Sequence, residues 1–119
     1  MKKKILIIDD DPGVCNSMAI LFREEGYSVD KATGSAKAEI LIKNGRYDVC
    51  LFDYMMKGLN GIDLLKMTKK VNPGCSVFII SGMLNIDELC QKEIKSGLIA
   101  GIIKKPFDID FMLKRIADK

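Results

Sequence analysis

The chain has 119 residues, 19 basic and 16 acidic, a formal charge of +3, and 48 % hydrophobic residues. That length suits one folding unit with a substantial core, expected to cover residues 1–119. The small positive excess, with no basic stripe interleaved with aromatics, gives no case for nucleic-acid binding, and the absence of histidine excludes Ser-His-Asp and Cys-His catalysis and any zinc site built on imidazole.

The first apolar run, Lys4 to Ile8, is predicted as a strand. It meets Asp9-Asp10-Asp11 too soon to be the apolar stretch of a secretory signal. No segment approaches the length of a membrane span, so a cytoplasmic protein without membrane contact is expected. A helix follows, with Asp11 as N-cap, Pro12 in its first turn, Val14, Met18, Leu21 and Phe22 on one face, and Gly26 to stop it. A weaker strand, Ser28 to Ala32, precedes a helix from Ser35 to about Asn44-Gly45, with Ile40 and Leu41 expected to face inward.

The third strand runs from Val49 to Phe52. Its helix carries Leu64, Met67, Thr68 and Val71, with Asn60 placed to cap it and Asn72-Pro73-Gly74 to break it. After the strand Val77 to Ile80, a helix from Asn85 has Ile86, Leu89, Cys90 and Ile94 on one face and ends at Gly97. The last strand, Ala100 to Ile103, leads to a helix capped by Asp108, with Ile109, Met112, Leu113 and Ile116 inward. Cys15, Cys50, Cys75 and Cys90 form no CxxC pair and are expected to be small buried hydrophobes.

Most of the strand runs are short, continuous and β-branched, as in strands covered on both faces. Five βα units joined by short turns imply an α/β fold, an open, doubly wound parallel sheet with right-handed crossovers. A closed eight-unit barrel needs about twice the length. In open sheets of this kind chemistry gathers at the carboxyl ends of the strands. The residues that end the strands are therefore the candidates: Asp9 and Asp10 after the first, Asp53 after the third, Ser81 after the fourth, Lys104 and Lys105 after the fifth. Crowded carboxylates raise one another's pKa unless a cation sits among them. Oxygen-only donors at a partly open site suit Mg²⁺. With charge neutralised, a phosphoryl group can approach a carboxylate nucleophile in line, and positioning and electrostatics carry most of the catalysis. The Lys105 ammonium and the Ser81 hydroxyl are suitable to hold two phosphoryl oxygens. Asp11 reads as a helix cap and Lys104 as a solvated neighbour.

Four separated motifs extend this reading. Ile5-Leu6-Ile7-Ile8-Asp9-Asp10-Asp11-Pro12, then Tyr47 through Met56 with Gly58-Leu59-Asn60-Gly61, then Val77-Phe78-Ile79-Ile80-Ser81-Gly82, then Lys105-Pro106-Phe107 resemble, in order, the motifs of two-component response-regulator receiver domains of bacteria and archaea. The resemblance implies a flavodoxin-like (βα)5 fold with strand order 2-1-3-4-5. It implies Asp53 as the phosphoacceptor, Mg²⁺ held by Asp10, Asp53 and the backbone carbonyl of Met55, and Asp9 acting mainly through a bound water. Lys105 would pair with the phosphoryl group, the bond before Pro106 would be cis, and Ser81 would swing inward and repack the surface around the last two strands. The donor would be a phosphohistidine on a sensor histidine kinase or a histidine phosphotransfer protein, and the output an unknown protein target. The domain would be no enzyme beyond its own phosphorylation and dephosphorylation. Three positions depart from the family pattern: Lys57 stands for a proline, Ile102 for an aromatic residue, and Ser81 for the commoner threonine.

Rival readings remain open at this point. The chain can be a receiver excised from a larger DNA-binding regulator, or a degenerate receiver that only binds partners. A phosphatase of the haloacid dehalogenase type would use Asp9-x-Asp11, Ser81 and a late lysine, and would leave Asp53 without a role. A flavin or nucleotide carrier would need glycines or hydroxyls where the three aspartates stand.

Overall fold

Alternation of side chains along each strand divides the apolar residues between two cores, one on each face of the sheet. In the computed structural model, which describes residues 3–118, the strands are β1 (Lys4–Ile8), β2 (Ser28–Ala32), β3 (Val49–Asp53), β4 (Ser76–Ser81) and β5 (Gly101–Lys104). All are parallel, in the order β2-β1-β3-β4-β5. Leu6, Ile8, Cys50, Phe52, Val77 and Ile79 pack on one face, and Ile5, Ile7, Val49, Leu51, Phe78 and Ile80 on the other.

The helices are α1 (Pro12–Glu24), α2 (Ser35–Asn44), α3 (Gly61–Val71), α4 (Ile86–Leu89), α5 (Gln91–Lys95) and α6 (Ile109–Ala117). The first core takes Ala38 and Ile42 of α2, Leu64 and Leu65 of α3, and Ile86 of α4. The second takes Met18 and Phe22 of α1 with Met112 and Ile116 of α6. The expected caps are present. Asp11 accepts hydrogen bonds from the backbone N–H groups of Gly13 and Val14. Asn60 and Asp63 form a reciprocal capping box, and Asp108 accepts from the N–H of Phe111. All four cysteines are free and buried, and the Lys105–Pro106 bond is cis.

Some expectations fail, each for a local reason. Ile40 does not face inward; it is 60 % exposed. The inward stripe of α2 runs through Ala38, Leu41 and Ile42, and Ile40 lies about 100° from Leu41 around the helix. The helix expected from Asn85 is two short ones, because Cys90 between them adopts φ −104° and ψ 12°, outside regular helical geometry. Ile86 and Cys90 are buried while Leu89 and Ile94 are exposed. Val71 and Ile109, at helix ends, are exposed as well. Strands β3 and β4 extend one residue further than expected, so Asp53 and Ser81 are themselves strand residues. None of the described helices is long and apolar enough to cross a membrane.

Candidate functional site

Strand register aligns the polar residues on one rim. Ile8 lies level with Phe52, Asp53 with Ile80, and Ser81 with Lys104. The residue after Ile8 is therefore beside Asp53, and the residue after Lys104 beside Ser81.

Asp9 has a fully buried side chain with both oxygens engaged. Oδ1 accepts from the backbone N–H of Asp11 at 2.9 Å, and Oδ2 accepts from Lys105 Nζ at 2.8 Å. The same ammonium lies 3.5 Å from Asp53 Oδ2. Lys105 thus bridges the two acids and sits closer to Asp9 than to the expected phosphoacceptor. Asp10 is exposed beside them, and one carboxylate oxygen from each of Asp9, Asp10 and Asp53 lies within 4.8 Å of the others.

Three carboxylates against one ammonium leave a surplus of negative charge. Burial pushes the Asp53 carboxyl up to about 6; the charge of Asp9 adds to the rise and Lys105 offsets only part of it. Burial alone would lower the pKa of Lys105, but its hydrogen bond to Asp9 and the charge of Asp53 raise it above the ordinary value, so the ammonium persists. The oxygen-only donor set, open on the side of Asp10, fits a hard divalent cation such as Mg²⁺, which would relieve that surplus.

Ser81 is 2 % exposed and its hydroxyl oxygen accepts from the backbone N–H of Met83 at 3.0 Å. Its carbonyl accepts from the N–H of Lys105 at 2.8 Å, which ties the ends of β4 and β5 together. Met55 lies two residues beyond Asp53 in the loop 54–60, with its side chain 61 % exposed. Lys104 points elsewhere and pairs with Asp87 of α4 at 3.1 Å between exposed side chains. Ile102 is half-buried against the first core.

Two residues to which sequence reasoning assigns no role at the site shape the rim. A Cβ on Gly61 would stand 2.9 Å from the carbonyl oxygen of Asp53 and 3.1 Å from Tyr54 Cα, so α3 begins hard against Asp53. The signal available was a glycine directly after the Asn60 cap. Ser35 donates its hydroxyl to the carbonyl of Lys57 at 2.8 Å and accepts from the N–H of Leu59 at 3.2 Å, fastening the loop 54–60 to α2. Nothing in the local sequence marks that long-range pair.

The phosphatase alternative would pair Asp9 with Asp11, but the Asp11 side chain is taken up in capping α1, and Asp53, which that reading leaves idle, shares Lys105 with Asp9.

Comparison with known proteins agrees. The sequence pattern of the family described as "Response regulator receiver domain" matches residues 5–117. Sporulation initiation phosphotransferase F of Bacillus subtilis is 32 % identical over 110 residues, covering 92 % of this chain and 87 % of that one. The transcriptional regulatory protein ZraR of Klebsiella oxytoca is 33 % identical over 106 residues, covering 89 % of this chain and 24 % of its own length. The crystal structure of a CheY-like response regulator receiver domain protein from Methanospirillum hungatei JF-1 superposes with a TM-score of 0.90 at 27 % identity, over 99 % of this chain and 93 % of that one.

Proposed function

This chain belongs to the response regulator receiver domain family of two-component systems, and on that premise we propose that Asp53 accepts a phosphoryl group from a phosphohistidine of a partner kinase or phosphotransfer protein. The observation that carries the reading is the bridge of Lys105 between Asp9 and Asp53 with Asp10 beside them.

In the transfer, an Asp53 carboxylate oxygen attacks phosphorus, and the phosphorus–nitrogen bond breaks with its electron pair left on the partner's imidazole. Asp53 presents its oxygen at the rim while the rest of β3 is held in the sheet, so the attack costs little reorganisation. Lys105 already sits by both acids and pairs with the arriving phosphoryl oxygens. Asp10, Asp53 and the carbonyl of Met55 would hold Mg²⁺ directly, with Asp9 acting through water. When bound, that ion supplies neutralisation of the charge that crowds at the phosphoryl group.

Ser81 leaves the N–H of Met83 to bond a phosphoryl oxygen, and the loop that joins β4 to α4 follows it. The surface of β4, α4, α5, β5 and α6 then differs between the two states, and a downstream protein distinguishes them. Ile102, partly buried on that surface, takes the place of the family's aromatic residue in the change. On this reading the protein acts in the cytoplasm, turns over no external substrate and contacts neither nucleic acid nor membrane. A relay role, with the phosphoryl group handed on to another protein, is favoured by near full-length similarity to a protein named a phosphotransferase. Similarity to a quarter of a transcriptional regulator supports the second reading, a receiver serving an attached output domain.

Acetyl phosphate with Mg²⁺ provides the test. The unmutated chain should acquire an acid-stable, base-labile phosphoryl group, and Asp53→Asn should reduce labelling at least about 100-fold, as expected when the attacking nucleophile is removed. Labelling of the variant at the unmutated level would sink the assignment.

A further inference from the structure

Away from the rim, two thiols meet inside the first core. Cys50 is the second residue of β3 and Cys75 lies one residue before β4, and because Val49 is level with Ser76 their side chains converge. The Sγ atoms are 3.3 Å apart. Cys15 serves a different purpose, giving its S–H to the carbonyl oxygens of Asp9 and Ala32.

We propose that Cys50 and Cys75 are an oxidisable pair, a modification site that a hydroperoxide converts to an intrachain disulfide and a thiol reductant restores. Bringing the sulfurs from 3.3 Å to the bonded distance of about 2.05 Å needs a small side-chain adjustment between neighbouring strands. A narrow crevice lined by Ile42, Gly45, Tyr47, Thr68 and Asn72 borders the two thiols, which are themselves buried, so a small oxidant reaches them when the structure beside that crevice opens.

The two sulfurs differ in character, as an attacking and a resolving thiol must. The contact with the Cys50 thiol lowers the pKa of Cys75; burial opposes this, and the ammonium of Lys69, which donates to the Cys75 carbonyl at 2.5 Å, supports it. Cys50, which has no ammonium as near, is raised by burial and by the same contact. The Cys75 thiolate attacks the hydroperoxide, forming a sulfur–oxygen bond as the oxygen–oxygen bond breaks, and the alkoxide leaves as the alcohol. Cys50 then attacks the Cys75 sulfur; the disulfide forms, the sulfur–oxygen bond breaks, and hydroxide departs with the Cys50 proton as water. Two thiols and one hydroperoxide yield one disulfide, one alcohol and one water. In a reducing compartment such a bond is transient, which is the usual character of intracellular redox-sensing disulfides.

The bond would close the segment from Cys50 to Cys75, which contains all of α3. It would restrict the unfolded chain far more than the folded one, so oxidation should raise thermal stability.

The test uses the reduced full-length chain treated with hydrogen peroxide, then unfolded and alkylated. The expected product is a monomer lighter by two hydrogen atoms before alkylation, with Cys15 and Cys90 alkylated, a linked peptide joining Cys50 to Cys75, and a Tm raised by about 5 °C or more. Dithiothreitol should reverse both changes. Cys75→Ala should abolish the link and the Tm shift, and Cys90→Ala should keep them. Three results on the unmutated chain would each overturn the proposal, whether or not the variants fold: alkylation of all four cysteines after peroxide, a link to Cys15, Cys90 or a second chain, or a Cys75 sulfinic acid without any link.

Discussion

Asp53 carries a cost before any phosphoryl group arrives. Its carboxyl is buried and faces the charge of Asp9, and is pushed from 3.8 up to about 6. In the unfolded chain the same group ionises near 4 (roughly 3.9). Between these values the folded state binds more protons than the unfolded one, so the contribution of Asp53 to stability falls as pH rises through about 6 and stays low above it. An asparagine at this position carries no charge at any pH. In buffer containing EDTA, Asp53→Asn should therefore melt higher than the unmutated chain at pH 7.5, by about 5 °C. The gap should close toward pH 4. Calorimetry across that range checks it, and equal melting temperatures throughout would show that no charge is being held at a loss. The identities of these site residues were legible because each strand passes abruptly from apolar to polar side chains at Asp9, Asp53, Ser81 and Lys105. Which of two adjacent acids is buried was not. That depends on the side of the β1 edge to which each side chain turns, and only tertiary structure places Asp9 against Lys105 and leaves Asp10 exposed.

At the level of elements, α3 is both well signalled and functionally committed. Its capping box was legible at Asn60, but its closeness to Asp53 was not, since nothing in the sequence measures a contact between a helix start and a strand end. Gly61 makes that contact. Alanine there would drive a Cβ to 2.9 Å from one backbone atom and 3.1 Å from another, and no side-chain rotation relieves a clash with backbone. Gly61→Ala should cost about 1–3 kcal/mol of stability. It should also slow phosphorylation by more than that loss of stability explains, because the displaced atoms belong to Asp53 and Tyr54. Gly74→Ala is the control, since its Cβ would meet its nearest neighbour at an ordinary 3.8 Å. Urea titration and acetyl phosphate labelling of both variants separate the effects; a Gly61→Ala chain matching the control in both would dismiss the contact. The segment after Asn85 behaves in the opposite way. Its apolar spacing reads as one helical stripe, yet the backbone breaks at Cys90 and half the stripe faces solvent. Periodicity reports what a helix would bury, and cannot report whether neighbouring elements cover it.

The whole molecule places the site through its topology. From β1 the chain moves outward to β2 and then returns across β1 to β3, so helices leave the adjacent strands β1 and β3 on opposite faces of the sheet. A crevice opens where the winding reverses, and there Asp9 and Asp10 from one strand end confront Asp53 from the other. Five βα units were legible from the alternation of patterns; the strand order was not, because periodicity does not say which strands are neighbours, and it rested on resemblance to the family. A ligand bound in that crevice touches both halves of the sheet and should stabilise the folded state as a unit. At Mg²⁺ a hundredfold above its dissociation constant the gain is about 2.7 kcal/mol, on the order of 10 °C for a domain of this size. Asp10 is exposed, so Asp10→Asn removes a ligand without opening the core, and should erase most of that rise while leaving the metal-free Tm nearly unchanged. Protons compete for Asp53, so the rise should also shrink as pH falls below about 6. A melting temperature indifferent to Mg²⁺, or a rise that survives Asp10→Asn intact, would remove the cation from this crevice and with it the neutralisation that the proposed phosphoryl transfer to Asp53 requires.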